Sequence, residues 1–348
     1  MKTTYKVLKY TLAPILITFS AVFYILVVLR RSLESKRQTG FRLPGKVISV
    51  GNIYVGGTGK TPTIIEIVKY IKSKGLSVVV LSRGYRSNLS DNAFGLYEDG
   101  RLEISDNSSK KVCADESLLV SNLCDCPSLF GVDRVGAAKW YLSSNSAPDV
   151  WVLDDGFQHF KIQRDLDIVL LDFENNLNKE FVFPFGLLRE PLGSLRFCDA
   201  IVFTRSKGAT NRPHWFKGHS HLKDFNSSEV DLGLFEAKSY YTFKHVSVIK
   251  NPFVFVSGIA DPERVLDQLK SQKLVPAQSK FYPDHVKFEK ESLEVMGKSY
   301  PCVLTTDKDY ARCSKLLHDC FEVVVIKRIS FEFSSEFYKT LDDSIKAN

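Results

Sequence analysis

Residues 51–62 read GNIYVGGTGKTP, and the fold assignment starts from them. The stretch closes with Gly59-Lys60-Thr61, as does a phosphate-binding loop, whose usual pattern is G-x-x-x-x-G-K-[ST]. The first glycine of that pattern would fall at position 54, where this chain has Tyr54. The stretch is therefore either a variant phosphate-binding loop or a glycine-rich turn that imitates one.

The segments on both sides supply the context that a phosphate-binding loop requires. Residues 46–51 (KVISVG) are short, apolar and rich in β-branched side chains, which predicts a buried strand. Residues 61–75 place apolar side chains at helical spacing and end in a glycine, a helix stop signal. Residues 77–85 then read as a second strand. The loop thus lies between a strand and a helix of a β-α-β unit.

Each residue type in the loop has a physical reason to be there. Glycines let successive backbone N–H groups turn toward one phosphate, and the start of the following helix adds its positive dipole end. Lys60 can reach the outer phosphates of a nucleotide, and the Thr61 hydroxyl can bind Mg²⁺. The predicted nucleotide-binding residues are Gly56, Gly57, Thr58, Gly59, Lys60 and Thr61.

The strand–helix alternation continues along the chain and predicts an α/β fold with mostly parallel sheets and helices on both faces. Further strands are predicted at residues 151–156, 167–172, 200–205, 253–259, 302–309 and 323–329, with a helix near 262–273. We predict an N-terminal segment at 1–38, a phosphate-loop α/β domain at 39–220 and a second, smaller α/β domain at 221–348. Residues 86–111 read as a β-hairpin or excursion, and residues 206–245 as a boundary or an extended ribbon.

Composition limits the partners that the chain can have. The chain has 348 residues, and its 44% hydrophobic and 25% charged residues indicate a globular protein. A formal charge of +7 favours an anionic partner, such as nucleic acid, a nucleotide or an acidic membrane. Seven irregularly spaced cysteines indicate reduced thiols in a cytosolic compartment. Cys124 and Cys126 form a C-x-C without a second pair at zinc spacing.

The N-terminal segment departs from this composition. Residues 11–29 contain no charge, and basic residues flank them on both sides, with Arg30 and Arg31 directly after them. Two basic flanks fit a helix sunk into the inner leaflet, with both ends facing anionic headgroups, better than a simple crossing. A spanning helix and a buried helix of a soluble protein remain open, and no small-residue cleavage site indicates a signal peptide.

Acidic residues follow the strand at 151–156. Asp154 and Asp155 stand where a parallel strand ends, and such carboxylates beside a phosphate loop hold Mg²⁺ or position its water. His159 lies just beyond in LDDGFQH. The alternative for this stretch is a solvated acidic turn.

Three more clusters can carry chemistry but are less specific. Asp115 and Glu116 open a predicted helix, where the dipole alone would favour them. His285 follows an aspartate and could serve as one half of a proton-accepting pair, although a lone histidine is more often structural. Arg189, in the LLREPLGSLR turn, could hold an anionic substrate group or lie in a plain surface loop. Residues 307–309 (DKD) could be simple helix capping.

In combination these stretches resemble one family, the tetraacyldisaccharide 4'-kinases of the lipid A pathway. The resemblance rests on the uncharged N-terminal segment, VGN-x-x-VGGTGKTP, the Asp-Glu pair, LDDGFQH, REPL, SGIADP, Asp-His and T-x-KD, and it covers the chain from about residue 12 to 330. The family also lacks glycine at the position of Tyr54. Ala114 and Ser117, on either side of the Asp-Glu pair, depart from the family's usual residues.

The resemblance implies a fold, an activity and roles for single residues. It implies two phosphate-loop-like α/β/α domains and an ATP- and Mg²⁺-dependent kinase. That kinase phosphorylates the 4'-hydroxyl of a tetraacylated glucosamine disaccharide 1-phosphate at the cytoplasmic face of the bacterial inner membrane. Neither nucleic acid nor an obligate protein partner is expected. The implied roles are catalysis for Asp115, His285, Asp154 and Asp155, substrate binding for Arg189, Glu116 and His159, and Mg²⁺ binding for Thr61 and Asp154.

Two other functions fit part of the sequence. A membrane-bound ATPase switch with a deviant phosphate loop would hydrolyse ATP on contact with a protein partner, and it would need neither Asp115 with His285 nor the REPL stretch. An inactive membrane scaffold would not require the intact Lys60, Thr61, Asp154 and Asp155.

Overall fold

The computed structural model describes residues 12–35, 40–84, 87–106, 114–217, 222–239, 242–283 and 286–346. Helices and strands alternate along the chain, which confirms the α/β prediction. The helices are α1 Ala13–Ser35, α2 Lys60–Ser73, α3 Asp115–Cys124, α4 Arg134–Leu142, α5 Pro262–Ser271, α6 Lys290–Ser299, α7 Asp307–Cys320 and α8 Ser335–Lys346.

The strands alternate with these helices, and two short 3₁₀ helices lie at Leu177–Lys179 and Leu192–Phe197. The strands are β1 Lys46–Asn52, β2 Val78–Ser82, β3 Gly95–Glu98, β4 Arg101–Ile104, β5 Ser128–Phe130, β6 Val150–Asp154, β7 Leu166–Asp172, β8 Ala200–Thr204, β9 Lys223–Ser239, β10 Thr242–Val246, β11 Phe253–Ser257, β12 Gln278–Phe281, β13 Cys302–Thr306 and β14 Val323–Phe333.

The chain forms two compact units, each built from separate chain segments. The first unit contains Met1–Arg83, Asp133–Glu229 and Phe331–Asn348, and the second contains Gly84–Val132 and Val230–Ser330. These units follow spatial contacts and are discontinuous in sequence, unlike the predicted segments 39–220 and 221–348. The division into two continuous domains stays a prediction.

The first unit has a parallel sheet at its centre. Its strands run in the order β2-β6-β1-β7-β8, and the start of β9 pairs with β8. Residues 47–52 of β1, all of β6 and all of β8 are buried, as expected for a parallel sheet covered on both faces. Because these strands run the same way, their carboxyl ends meet at one edge of the sheet, where open α/β sheets bind ligands.

Helix α2 is fixed to this sheet by an apolar face and by its glycine start. The predicted helical spacing is confirmed, because Ile64, Ile67, Val68 and Ile71 are all buried. The residue before the helix, Gly59, has a left-handed conformation (φ 80°). A Cβ at Gly59 would lie 2.4 Å from the ring of Phe331, so both backbone conformation and space require glycine here.

The second unit combines parallel and antiparallel strands. Its parallel strands have the order β12-β11-β13-β14. Strands β3 and β4 form an antiparallel hairpin within the predicted excursion at 86–111, and β3 also pairs with β5. Strands β9 and β10 form an antiparallel ribbon, one of the two interpretations of residues 206–245. The core of this unit includes Val254, Val256, Leu293, Val303 and Ile326.

Helix α1 carries the uncharged N-terminal segment. Within the described residues, Ala13–Leu33 is the helix that is long and apolar enough to cross a membrane, judged by length and composition. Most of its large apolar side chains are exposed, including Phe19 at 61% and Leu26 at 59%. Its polar side chains are not all exposed, because Ser20 and Arg31 are buried. The expectation that Arg31 faces headgroups is therefore wrong.

Candidate active site

The carboxyl ends of β1 and β6 bring the LDDGFQH stretch against the start of the glycine-rich loop. Val50 of β1 lies opposite Asp154 of β6, and the Gly156 N–H donates to the Val50 carbonyl at 3.2 Å. A Cβ at Gly51 would lie 2.6 Å from the Cβ of Phe157. The two segments are in direct backbone contact, and this close approach places the acidic residues beside the loop.

Asp155 is the centre of the charged groups at this edge. Its carboxylate accepts a hydrogen bond from Arg189 at 2.8 Å and lies 3.5 Å from the Lys60 ammonium. Burial by itself favours the neutral acid, but the charges of Lys60 and Arg189 outweigh it and lower the pKa of Asp155. The Asp155 carboxylate is therefore ionised at neutral pH. We call Lys60, Asp154, Asp155, Arg189 and Arg134 the strand-end site.

Backbone pairing explains both the position of Arg189 and the presence of Tyr54 in the loop. The Arg189 N–H donates to the Ile53 carbonyl at 2.7 Å, and the Val55 N–H donates to the Leu187 carbonyl at 2.8 Å. Tyr54 and Leu188 form an antiparallel bridge between these bonds. The first half of the loop is thus extended and paired, a conformation that a side chain tolerates, so a glycine at position 54 is not required.

Polar side chains hold the second half of the loop, at Gly57 and Thr58, through hydrogen bonds. Thr58 is buried, and its hydroxyl accepts a hydrogen bond from the Asn52 amide at 2.8 Å. Arg205, which follows β8, donates to the Gly57 carbonyl at 2.8 Å and to the Asp172 carboxylate at 2.5 Å. Sequence reasoning missed Arg205, although its place at the end of a predicted strand was the available signal.

Helix α2 starts at Lys60, with Thr61 as its second residue, and its N-cap residue, Gly59, has no side chain that could cap the helix. The first-turn N–H groups of such a helix and its positive dipole end suit a bound phosphate. Together with two cationic side chains at Lys60 and Arg189, this arrangement can bind an anion with several charges. The site therefore has the composition of a phosphate-transfer centre, with carboxylates for a metal ion close by.

Comparison with known proteins agrees with this chemistry. The profile of the family described as tetraacyldisaccharide-1-P 4'-kinase matches residues 12–346. This chain belongs to that family. The tetraacyldisaccharide 4'-kinase of Pelobacter propionicus is 32% identical over 92% of this chain and 88% of its own length. The tetraacyldisaccharide 4'-kinase of Ruthia magnifica is 30% identical over 97% of both chains.

A solved structure extends the likeness to three dimensions. LpxK from Aquifex aeolicus, crystallised in complex with ATP, matches with a TM-score of 0.77 and 27% identity, over 97% of this chain and 99% of that one. The predicted family, fold class and enzyme class are thereby confirmed. Membership in a kinase family weighs against both the ATPase switch and the inactive scaffold.

A buried arginine completes the strand-end site of this 4'-kinase family member. Arg134, at the start of α4, is 3% exposed, and both of its Nη atoms lie 3.3 Å from the Asp155 carbonyl. Burial lowers the pKa of Arg134, and the opposite charges of Asp154 and Asp155 partly offset this effect. Sequence reasoning missed Arg134, because an arginine that opens a helix is not distinctive without its spatial neighbours.

His159 is a neutral group at this site. Burial, together with the positive charges of Arg134 and Arg164, lowers the pKa of His159 to about 3. Its Nε2 atom is buried and lacks a hydrogen-bond partner within the described part of the chain. At neutral pH the ring can therefore offer one hydrogen bond to a ligand, but it cannot supply a cation.

The second unit holds the Asp-Glu pair at the start of α3. Asp115 and Glu116 are its first two residues, and Glu116 forms a 3.1 Å ion pair with Lys308 in the first turn of α7. We call Asp115, Glu116 and Lys308 the acidic helix start. Sequence reasoning took residues 307–309 for simple capping and so missed Lys308. His285, the predicted partner of Asp115, lies outside the described residues.

Residues at the start of α2 and at the end of β6 fit the Mg²⁺ that kinases of this kind require. In the part of the chain that the structure describes, no group of three or more His, Cys, Asp or Glu side chains could hold a metal ion. Mg²⁺ beside a nucleotide usually takes one or two protein ligands and completes its shell with phosphates and water. Thr61 and the buried Asp154 supply a hydroxyl and a carboxylate, the oxygen ligands that Mg²⁺ prefers.

Proposed function

We propose that this chain transfers the γ-phosphoryl group of ATP to the 4'-hydroxyl of a tetraacylated glucosamine disaccharide 1-phosphate, a step of lipid A biosynthesis. The observation that carries the proposal is the Asp155 carboxylate shared by Lys60 and Arg189 at the start of α2. Family membership supports the same reaction.

The strand-end site would bind the phosphates and stabilise the charge that develops during transfer. The loop from Gly56 to Gly59 surrounds the phosphates with backbone N–H groups. Lys60 and Arg189 oppose the negative charge on the transferred group, and Asp155 keeps both cations at the site when no nucleotide is bound. Donors fixed in advance in this way stabilise a transition state without reorganising.

Thr61 and Asp154 would hold Mg²⁺, which neutralises charge on the phosphate oxygens when it is bound. Asp154 is 8% exposed, so water competes weakly for its carboxylate. His159, which is neutral and half-buried, would donate a hydrogen bond to the substrate or accept one from it, and it would add no charge.

In the transfer itself, the 4'-oxygen forms a bond to the γ-phosphorus while the bond from that phosphorus to the leaving oxygen of ADP breaks. The hydroxyl proton passes to Asp115, which His285 would orient. A loose transition state requires little help from a base until late in the reaction, and a carboxylate suffices for that purpose. Glu116 would contact the sugar acceptor.

The acceptor carries four acyl chains, so the enzyme must work at a bilayer surface. We propose the cytoplasmic face of the inner membrane, with α1 as the attachment. Exposed apolar residues support this role on α1 and on the adjoining segment, where Phe181 and Phe183 are each 53% exposed. The Phe23 ring of α1 packs edge to face against the Phe183 ring, with 6.0 Å between the ring centroids, so the two apolar surfaces are continuous.

Transfer of label tests the reaction. Detergent-purified protein would be mixed with Mg²⁺, γ-labelled ATP and the tetraacylated disaccharide 1-phosphate. Label at the 4'-position of the lipid is the expected result. ATP hydrolysis without labelled lipid would instead support the ATPase switch, and folded protein that uses no ATP would support the scaffold.

Deletion of residues 1–29 tests the attachment. We expect the truncated protein to leave the membrane fraction and to show a larger increase in KM for the lipid than for ATP. A truncated protein that still sediments fully with membranes would show that another surface suffices for attachment.

A further inference from the structure

We propose that Arg31 is a positioning residue for phosphoryl transfer, so that α1 contributes to kcat separately from membrane attachment. The inference rests on the proposed kinase function and adds a residue to it. Arg31 does not belong to any stretch that predicts nucleotide or substrate binding.

Arg31 is buried in an ion pair with the residue that follows Arg189. Its Nε atom donates to the Glu190 carboxylate at 3.0 Å, and the two side chains are 3% and 4% exposed. Desolvation makes such a pair costly, and it often adds little stability compared with apolar residues. A role in fixing geometry is therefore the better explanation for charges at this place.

Arg31 also holds the other side of the strand-end site. Its Nη1 atom donates to the Phe157 carbonyl at 3.1 Å. The guanidinium lies 3.8 Å from the centre of the Phe157 ring and 4.7 Å from that of Phe160, within the range of cation–π attraction. Three independent contacts thus fix both the plane and the position of one guanidinium.

The two segments that Arg31 joins are those that place the central ion pair of the site. Glu190 is bonded to Arg189, whose guanidinium contacts the Asp155 carboxylate at 2.8 Å. Phe157 follows Asp155 by two residues. The distance between the Arg189 and Asp155 segments therefore depends on Arg31, and a displacement of about 1 Å at a transfer site can lower turnover by about 10²-fold.

The neighbouring arginine gives a matched control. Arg30 is exposed, and its guanidinium carbon lies 5.4 Å from the centre of the Phe160 ring. Arg30→Met and Arg31→Met make the same chemical change at adjacent positions of one helix. They differ in whether the guanidinium reaches Glu190 and the Phe157 carbonyl.

The experiment measures kcat and both KM values in mixed micelles of detergent and lipid acceptor, with α1 intact. We expect R31M to lower kcat about 10- to 100-fold, to change KM for ATP less than about threefold and to leave membrane sedimentation unchanged. R30M should keep the wild-type kcat. Equal kcat values for R31M and wild type would overturn the proposal.

Two further variants separate positioning from folding. R31M/E190Q removes both charges and so avoids a buried unpaired carboxylate. We expect it to unfold near the wild-type temperature yet keep a low kcat. In R31A, added guanidinium ion at millimolar concentration should restore part of kcat, because it can occupy the space that the Arg31 guanidinium leaves beside the Phe157 and Phe160 rings. Full activity of the double variant, or no rescue of folded R31A, would contradict positioning by Arg31.

The same assay distinguishes the two levels of inference. Wild-type protein that labels no lipid would overturn the proposed function, and the Arg31 proposal with it. Wild-type protein that labels lipid, together with an R31M variant of equal kcat, would overturn the role of Arg31 alone.

Discussion

The strand-end site and the acidic helix start balance their charges in different ways. In the strand-end site, one carboxylate is shared by Lys60 and Arg189, while Arg134 donates to the backbone of the same aspartate. In the acidic helix start, Glu116 pairs with Lys308 at 3.1 Å, and the two side chains are 34% and 23% exposed. In the first region several groups share one aspartate, whereas the second region includes an ion pair of comparable exposure.

This difference follows from the elements on which the charges lie. Parallel strands bring their carboxyl ends to one edge of the sheet, so the residues that follow adjacent strands become neighbours, independently of how the helices pack. The second region depends instead on two helix starts that pack together. A cation in the first turn of α7 is opposed by the helix dipole, and Glu116 compensates for this at Lys308.

The largest effect should follow loss of the main cation of the strand-end site. Lys60→Ala is expected to lower turnover by at least ~10²-fold, the scale for one donor that stabilises developing charge. Steady-state transfer of label from ATP to lipid measures it, with the exposed Lys69→Ala on the same helix as the control. Near-normal turnover in the Lys60 variant would remove the loop from the mechanism.

The next effect tests whether the acidic helix start supplies the base. Asp115→Ala and His285→Ala should each lower kcat by about 10²-fold, the lower range for a general base. If the two residues act as one unit, the double variant should lose less than the product of the single losses. A loss equal to that product would mean that they act independently.

A smaller effect is expected from the Glu116 ion pair. Lys308→Met should change the free energy of unfolding by less than about 1 kcal/mol, because the pair is partly exposed. If Lys308 holds Glu116 for the acceptor, KM for the lipid should rise about tenfold, the scale of one charge-assisted hydrogen bond. Exposed Lys298→Met, in the same unit, is the control. An unchanged KM would make the pair purely structural.

The last effect concerns stability and not turnover, and it is a pH dependence at the strand-end site. The pKa of His159 is lowered to about 3, so between its ordinary pKa and that value only the unfolded chain binds the proton. Stability must therefore fall as pH decreases from about 6.5, by up to about 1.4 kcal/mol per pH unit from this group. His159→Gln should remove that part of the slope.

Denaturant unfolding at pH 7, 5.5 and 4.5 measures the slope. His214→Gln, at an exposed histidine of the same unit, is the matched control and should follow the wild type. Parallel curves for wild type and His159→Gln would show that His159 is protonated equally in the folded and unfolded states.

Local patterns were sufficient for the elements around the loop. The sequence predicted β1 and α2 correctly. The signals were the β-branched run before Gly51 and the helical spacing of Ile64, Ile67, Val68 and Ile71. A buried strand or helix face requires apolar residues in a recognisable run or spacing, so the pattern can be read from the sequence. The position of Asp154 and Asp155 after a strand predicted their place beside the loop, since parallel strands share one edge.

The sequence by itself therefore determined the α/β class, the strand–loop–helix arrangement around Gly56–Gly59 and the family, since each depends on residues close together in the chain. Only the tertiary structure decided that Arg134, Arg205 and Lys308 join the charged groups and that Arg31 faces inward. An arginine has the same local signature on a surface as in a buried ion pair. The difference lies in a partner up to 159 residues away, which packing alone supplies.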